Sequence, residues 1–401
     1  MKGQPINSPV FKALGGSSPE KLFGGLKTPC YIIDEGALED NLKILKGVSE
    51  RTGAKILLAQ KAFSNFAFYP LISRYLCGTE ASGLFEARLG KEEMPGGEVH
   101  VFCAAYRDDE FEELLSYADH IVFNSPSQLK KFGARAKARG KSVGLRINPR
   151  KSTQEGHAIY DPCADGSRLG TTRAAWDKEM TEELISLLDG LHFHTLCEQD
   201  SDALEVTYRA LEEQFADVLP RLRWLNMGGG HHITKSGYDI ARLERILVEA
   251  HGKWGVQVYL EPGEAVALNA GFLASRVLDV VENCGITTAI TDASAACHMP
   301  DVIEMPYTPP LLDNGDGGNV SVRFAGPTCL AGDIIGDYEL SKRPEIGDMV
   351  LFGDMAIYTT CKNNTFNGMP LPDIWKRGRD GTLSRIASFG YDDFKMRLGN
   401  I

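Results

Sequence analysis

With 401 residues the chain is long enough for one barrel-sized domain and a second, smaller one. Hydrophobic residues make up 43% and charged residues 24%, the balance of a globular protein that buries a core without staples. The formal net charge of -11 argues against a nucleic-acid binder, which would have to neutralise a run of phosphates, and suits a cationic small ligand.

Nine cysteines, an odd number with no CxxC pair, point to a reducing cytoplasm and to neither a disulfide framework nor a zinc ribbon. The opening MKGQPINSPVFKALGG has no apolar stretch of signal-peptide length. The stretch from Ala265 to Val281 is interrupted by Asn269, Arg276 and Asp279, so no membrane span is expected.

Taken in chain order, Cys30–Ile33 reads as a short strand and is followed by a helix whose Leu38, Leu42 and Leu45 share one face. KILLA (55–59) is a continuous apolar run, the mark of a strand covered on both faces. A short strand near Thr79–Ser82 comes next, then VHVFC (99–103), HIVF (120–123), VGLRI (143–147), LHFH (191–194), RWLNM (223–227) and VQVYLE (256–261). Helical patterns lie between most of them, including DDEFEELLSYA and Gln128 to Arg139. Such alternation implies a parallel sheet with right-handed crossovers, and about eight strands favour a closed TIM (β/α)8 barrel over an open sheet. Past Ala265 the pattern changes to short β-rich runs (ASRVLDVVE, TTAITDA, VSVRFA, MVLFG) between Gly, Pro, Asp and Asn turns. The expected layout is a barrel over 36–264 and an all-β, sandwich-like domain built from 1–35 plus 265–401.

Several residues can carry chemistry. Lys61 lies just past KILLA, at the strand end where barrel active sites form, and its apolar neighbours suit a carbonyl-condensing amine; a solvated loop lysine is the plainer alternative. Gly228-Gly229-Gly230 follows RWLNM, where backbone N–H groups could approach an anion, or simply make a flexible turn. Glu261 ends VQVYLE and could pair with a protonated ring nitrogen. Of His192 and His194, on either side of Phe193, one is expected at the barrel centre, and His194, nearer the C-terminal end, is the candidate to stack on a flat cofactor. Cys329 in GPTC and Tyr358 in FGDMAIYT are further candidates, as an acid and a phosphate partner or as packing residues.

In this order the motifs TPCYIID (28–34), LLAQKAF (57–63), FHT (193–195), GGG (228–230), EPG (261–263), GPTC (326–329) and FGDMAIYT (352–359) resemble the fold-type III pyridoxal-phosphate enzymes, the alanine-racemase and ornithine/diaminopimelate decarboxylase group. HTLCEQ (194–199) in place of a small-residue stretch, EPGE (261–264) in place of EPGR, TDASAACHMPDVIE (291–304) and GPTCLAGD (326–333) resemble the branch acting on carboxynorspermidine and carboxyspermidine. The resemblance implies pyridoxal 5'-phosphate on Lys61, with His194 on the ring face, Glu261 at the ring nitrogen, the three glycines at the phosphate and Tyr358 nearby. Arg146 and Ser82 would support the cofactor. Glu264, Asp301 and Asp333 would bind the cationic substrate, and Cys329 would return a proton across the interface of a homodimer with shared active sites. No resident metal, nucleic acid or membrane partner is implied. A carboxylate at 264 attracts a polyamine where an arginine would repel it.

Three rival readings stay open at this point. A diaminopimelate or ornithine decarboxylase would share the chemistry with a different pocket. A non-catalytic pyridoxal-phosphate-binding barrel would lack the long β-rich tail. A metal-dependent hydrolase would need His192, His194, His231 and His232 to converge, without an HxxxH helix.

Overall fold

The computed structural model describes residues 2–5, 8–154, 161–313 and 318–399, so part of the 148–170 segment, a candidate lid by its position, lies outside the described residues. The chain divides into two compact units, Asn41–Val266 and Met1–Asp40 together with Ala267–Ile401.

After strand β1 (Cys30–Asp34), which belongs to the second unit, eight parallel strands close into a barrel in chain order. They are β2 (Lys55–Ala59), β3 (Gly78–Ala81), β4 (Glu98–Phe102), β5 (His120–Phe123), β6 (Ser142–Arg146), β7 (Gly190–His192), β8 (Trp224–Asn226) and β9 (Gln257–Leu260). The ring closes where β2 meets β9, with Lys55 opposite Tyr259 and Ile56 opposite Leu260. Ile56, Leu57, Leu58 and Ala59 are all buried, as a strand covered on both faces requires. The outer helices follow from their sequences. Ile240–Trp254 starts on Asp239, whose side chain accepts from the Arg242 amide, and ends at Gly255 in the left-handed region. Its buried Leu243, Ile246, Leu247 and Ala250 recur at helical spacing and form the face turned to the barrel.

The N-terminal end of the barrel is filled by side chains. A Cβ on Gly190 would stand 2.0 Å, and one on Gly144 2.3 Å, from the Trp224 ring, so two glycines make room for one indole. Its Nε1 donates to Ser142 Oγ at 2.8 Å. Beside it lies a polar cluster, in which Lys55 pairs with Glu98 and Tyr259 Oη donates to Glu98 at 3.0 Å. The His100 and His120 rings stack there at 3.8 Å, and burial, with His100 adding, pushes the His120 pKa down to about 3.

In the second unit β1 is joined by β10 (Gly271–Asn283), β11 (Ile286–Thr291), β12 (Val320–Ala325), β13 (Ile334–Leu340), β14 (Met349–Gly353), β15 (Asp373–Arg377) and β16 (Leu383–Ala387). The strand order is β13-β12-β11-β10-β1-β15-β16, with β14 also paired to β10. One half of β10 pairs with β1 and β14 and the other half with β11, so a single long strand serves two layers, in keeping with the sandwich-like expectation. The N-terminal strand β1 is central, antiparallel to β10 and parallel to β15. Phe11, Phe23 and Phe272 pack together at its side, with ring centroids 6.1 and 6.5 Å apart. Burial of each such ring contributes on the order of 2–3 kcal/mol.

Candidate active site

Lys61 follows β2 at the C-terminal end of the barrel, the end at which barrel enzymes carry their chemistry. The loop that presents it is pinned by buried Gln60, whose amide nitrogen donates to the Glu80 carbonyl at 3.3 Å and the Glu86 carbonyl at 2.9 Å. Tyr69 Oη donates to Gln60 Oε1 at 2.9 Å and completes the clamp. Glu80, at the end of β3, is 3% exposed. Burial, joined by the charge of Glu261, pushes its carboxyl up to about 8, while the Lys61 ammonium pulls the other way.

Glu261, just past β9, is the opposite case. Burial disfavours its charge, yet His192 and Asn226 hold its carboxyl down at about 2. Asn226 Nδ2 donates to Oε1 at 2.6 Å and His192 Nε2 to Oε2 at 3.0 Å. Burial lowers the His192 pKa while Glu261 pulls the other way, and the ring lies on Phe102 with centroids 5.5 Å apart. Two buried carboxyls on one rim are thus held in different protonation states at neutral pH, the division of labour that acid–base chemistry uses.

The expectation that only one histidine of LHFH faces the barrel centre needs correction. Residues two apart in a strand share a face, and His192 is turned inward to Glu261. Strand β7 stops at His192, so His194 stands just beyond it, where its Nδ1 accepts the Gly229 amide at 3.2 Å. Burial, with Lys61 adding, pushes the His194 pKa well down. Arg146 is buried below, donating from Nη2 to the His194 carbonyl at 3.1 Å and lying 4.5 Å over the Phe102 ring. Burial lowers its pKa to about 10, still leaving it charged. Ser82 is exposed; its amide donates to Glu86 Oε2 at 2.6 Å and its hydroxyl reaches Glu80 Oε1 at 3.4 Å.

The glycine turn is tight against its neighbours. Gly230 has φ 81°, and a Cβ there would stand 2.0 Å from the Leu196 carbonyl oxygen; one on Gly229 would stand 2.4 Å from that of Glu261. The Gly228 amide donates to Asn226 Oδ1 at 2.9 Å. Backbone crowding therefore requires glycine here, and the His194 side chain packs directly against Gly228 and Gly229.

Glu264, three residues past Glu261, lies 2.9 Å from buried His232. His231 Nε2 contacts the Met227 carbonyl at 3.2 Å and His192 serves Glu261, so among the described residues the four histidines form no common ligand set.

Four candidates belong to the sheet unit. Cys329 is exposed, and its amide donates to Asn367 Oδ1 at 2.9 Å. Tyr358 has φ 56° and precedes the short helix Thr359–Lys362. Asp301 pairs with Lys362, which also pairs with Glu304. Asp333 is 2% exposed, and its carboxylate accepts from Ser294 Oγ, the Ala296 amide and Thr328 Oγ1 at 2.7 to 3.1 Å.

Motif reading missed Glu80, Glu86 and Lys362, and set His192 aside in favour of His194. Glu80 could have been suspected, since it stands near the end of a strand at the active end of the barrel, whereas Glu86 lies in the helix that follows.

A closed parallel barrel with its reactive side chains on the C-terminal rim, continued into a mostly antiparallel sheet unit, defines the fold-type III class. Residues 30–356 match the family described as pyridoxal-dependent decarboxylase, C-terminal sheet domain. The carboxynorspermidine/carboxyspermidine decarboxylase of Campylobacter jejuni is 40% identical over 385 residues, covering 93% of this chain and 98% of that one. The carboxyaminopropylagmatine decarboxylase of Synechocystis is 38% identical over 94% of this chain and 97% of its own. Among solved structures, Campylobacter jejuni carboxynorspermidine decarboxylase complexed with norspermidine superposes with a TM-score of 0.85 at 39% identity, covering 93% of this chain and all (100%) of that one. The chain belongs to the pyridoxal-dependent decarboxylase family, and it is a carbon–carbon lyase that uses pyridoxal 5'-phosphate.

The rim fits that cofactor on its own chemistry. Lys61 offers the amine for the aldehyde, and ionised Glu261 keeps lone pairs beyond those taken by His192 and Asn226 for a protonated ring nitrogen. The three glycines bring no side chain of their own to stand in the way of a phosphate.

Proposed function

We propose that this chain decarboxylates a carboxylated polyamine, with carboxynorspermidine and carboxyspermidine as its substrates, and so serves polyamine synthesis in the cytoplasm. The observation that carries the reading is the near-full-length relative at 40% identity that bears this name. Glu264 supports it, an acid on the barrel rim close to Glu261 and suited to a substrate with extra ammonium groups.

In this reading Lys61 anchors the cofactor, His194 lies on its ring face, and Gly228, Gly229 and Gly230 take the phosphate with Tyr358 nearby. When bound, the cofactor supplies the electron sink for the pair left on Cα as CO2 departs. Glu261 holds the proton on the ring nitrogen. Protonated Glu80 stands as a neutral neighbour of Lys61 and leaves Glu261 as the main negative charge there. Arg146 fixes the His194 backbone, and Ser82 orients Glu80 and Glu86. Cys329 returns the proton to Cα from the partner subunit of a homodimer. Glu264 and Asp301 receive the polyamine chain, Asp301 in exchange with Lys362. We assign Asp333 to holding the segment that carries Cys329, in place of the substrate contact expected of it, because its lone pairs are spent on Ser294, Ala296 and Thr328.

The test is CO2 release by cofactor-loaded protein from carboxynorspermidine, carboxyspermidine, carboxyaminopropylagmatine, meso-diaminopimelate, ornithine and lysine. Turnover confined to the first two supports the reading. Turnover mainly of diaminopimelate or ornithine overturns it, and a preference for carboxyaminopropylagmatine moves the substrate within the same class.

A further inference from the structure

Two departures of this sequence from the ornithine and diaminopimelate decarboxylase pattern, HTLCEQ (194–199) and EPGE (261–264), are far apart in the chain. In the barrel unit they meet. Glu198 of the first and Glu264 of the second bring carboxylate oxygens within 4.8 Å of each other and of a ring nitrogen of His232. The loops after β7, β8 and β9 contribute one side chain each. The first two loops are fastened together, since the Gln199 amide donates to the Gly230 carbonyl at 3.0 Å and the His232 amide to the Gln199 carbonyl at 3.2 Å.

His232 is the second, independent observation. It is 6% exposed, and its Nδ1 has no hydrogen-bond partner among the described residues. Its Nε2 lies 2.9 Å from Glu264 Oε1. A buried imidazole left unpaired is costly unless something else takes up its polar edge. Two carboxylates facing that edge, Glu198 exposed and Glu264 half-buried, favour a cation that enters from solvent; the exposed Lys235 is the basic side chain acting on the ring.

We infer that Glu198, with Glu264 and His232, forms a subsite for an ammonium group of the polyamine chain, making Glu198 a specificity-determining residue. This rests on the proposed function and deepens it: the acid that replaces arginine in EPGE works as one half of a pair, and the other half lies in HTLCEQ. The pair explains why both departures occur in one chain.

The deciding measurement is calorimetric titration of norspermidine into cofactor-loaded wild type, Glu198→Gln, Glu198→Asp and Glu264→Gln, followed by KM and kcat for carboxynorspermidine. Loss of one charge-assisted contact should weaken norspermidine about tenfold in Glu198→Gln. Glu198→Asp should recover most of that, and the kinetic loss should fall on KM more than on kcat. Glu198 is exposed, so the fold is not at stake. Equal norspermidine affinity in wild type and Glu198→Gln overturns the inference, as does a fall in kcat with KM unchanged. Stoichiometric binding of manganese chloride alone, abolished in Glu198→Gln, also overturns it, in favour of a metal site. Absence of CO2 release by wild type would sink the proposed function, while the norspermidine titration would still decide the subsite.

Discussion

Replacing Glu80 by glutamine removes a carboxyl that folding keeps protonated. In the folded chain burial and the charge of Glu261 hold this group at about 8, against 4.5 for the free side chain. Between those values the folded state keeps a proton that the unfolded state has released, so stability falls as pH rises from 4.5 and the deficit is complete above about 8. The gap is worth at most ~5 kcal/mol, and Lys61, which favours the charged form, is already counted in it. Glutamine keeps the shape and cannot ionise. Glu80→Gln should therefore match wild type near pH 5, exceed it increasingly up to about pH 8 and level off above, by several degrees in Tm at about 2 °C per kcal/mol. Thermal unfolding of the cofactor-free chain, in buffers of equal ionic strength across that range, reads the difference directly. Two parallel curves of Tm against pH would refute the reasoning, because they would mean that Glu80 titrates alike in both states. Divergence on the acid side would do so as well.

Lys61→Ala should lose the visible absorbance of the lysine-bound cofactor and all CO2 release; a normal cofactor spectrum would sink the assignment. Gly230→Ala forces a Cβ towards the Leu196 carbonyl at a positive φ. It should cost about 2 kcal/mol or more in stability and weaken cofactor binding, as equilibrium dialysis would show. His120 is held at about 3 by burial and His100 when folded, against 6.5 when free, so the unfolded chain takes up a proton that the folded chain refuses. Wild type should lose stability as pH falls from 6.5 towards 3, and His120→Asn should lose less, read as Tm against pH.

What could be read from the sequence is local or strictly ordered. KILLA, HIVF and VQVYLE announce barrel strands because a strand covered on both faces has to be largely apolar, and a lysine or glutamate at the end of such a run is placed by the strand itself. The glycine turn is legible for the same reason, since RWLNM fixes where it must begin. What escaped depends on partners brought close by closure of the ring. Nothing in LHFH says that His192 will meet Glu261, and the protonation of Glu80 depends on its burial and on Glu261 from the other side of β2. The short β3, with a single apolar residue among GTEA, carries too weak a pattern to give its glutamate weight. Asp301 reads as a free acid in sequence, whereas Lys362 lies on it once the sheet has formed. The departures at Glu264 and in HTLCEQ were visible, but that Glu198 and His232 meet Glu264 was not, because three separate loops supply them.

The position of β1 has a consequence for synthesis on the ribosome. This strand leaves the exit tunnel with all five residues apolar or destined for burial, yet its partners lie at Gly271–Ala274 and Asp373–Arg377. At ordinary translation rates the interval is roughly ten to fifty seconds or more, during which the whole barrel can emerge. Until then CYIID is an unpaired strand edge on a nascent chain, open to chaperones and to the same edge of a neighbouring chain. Ribosomes stalled after residue 266 would carry the barrel sequence entire while β1 still lacked every strand it pairs with.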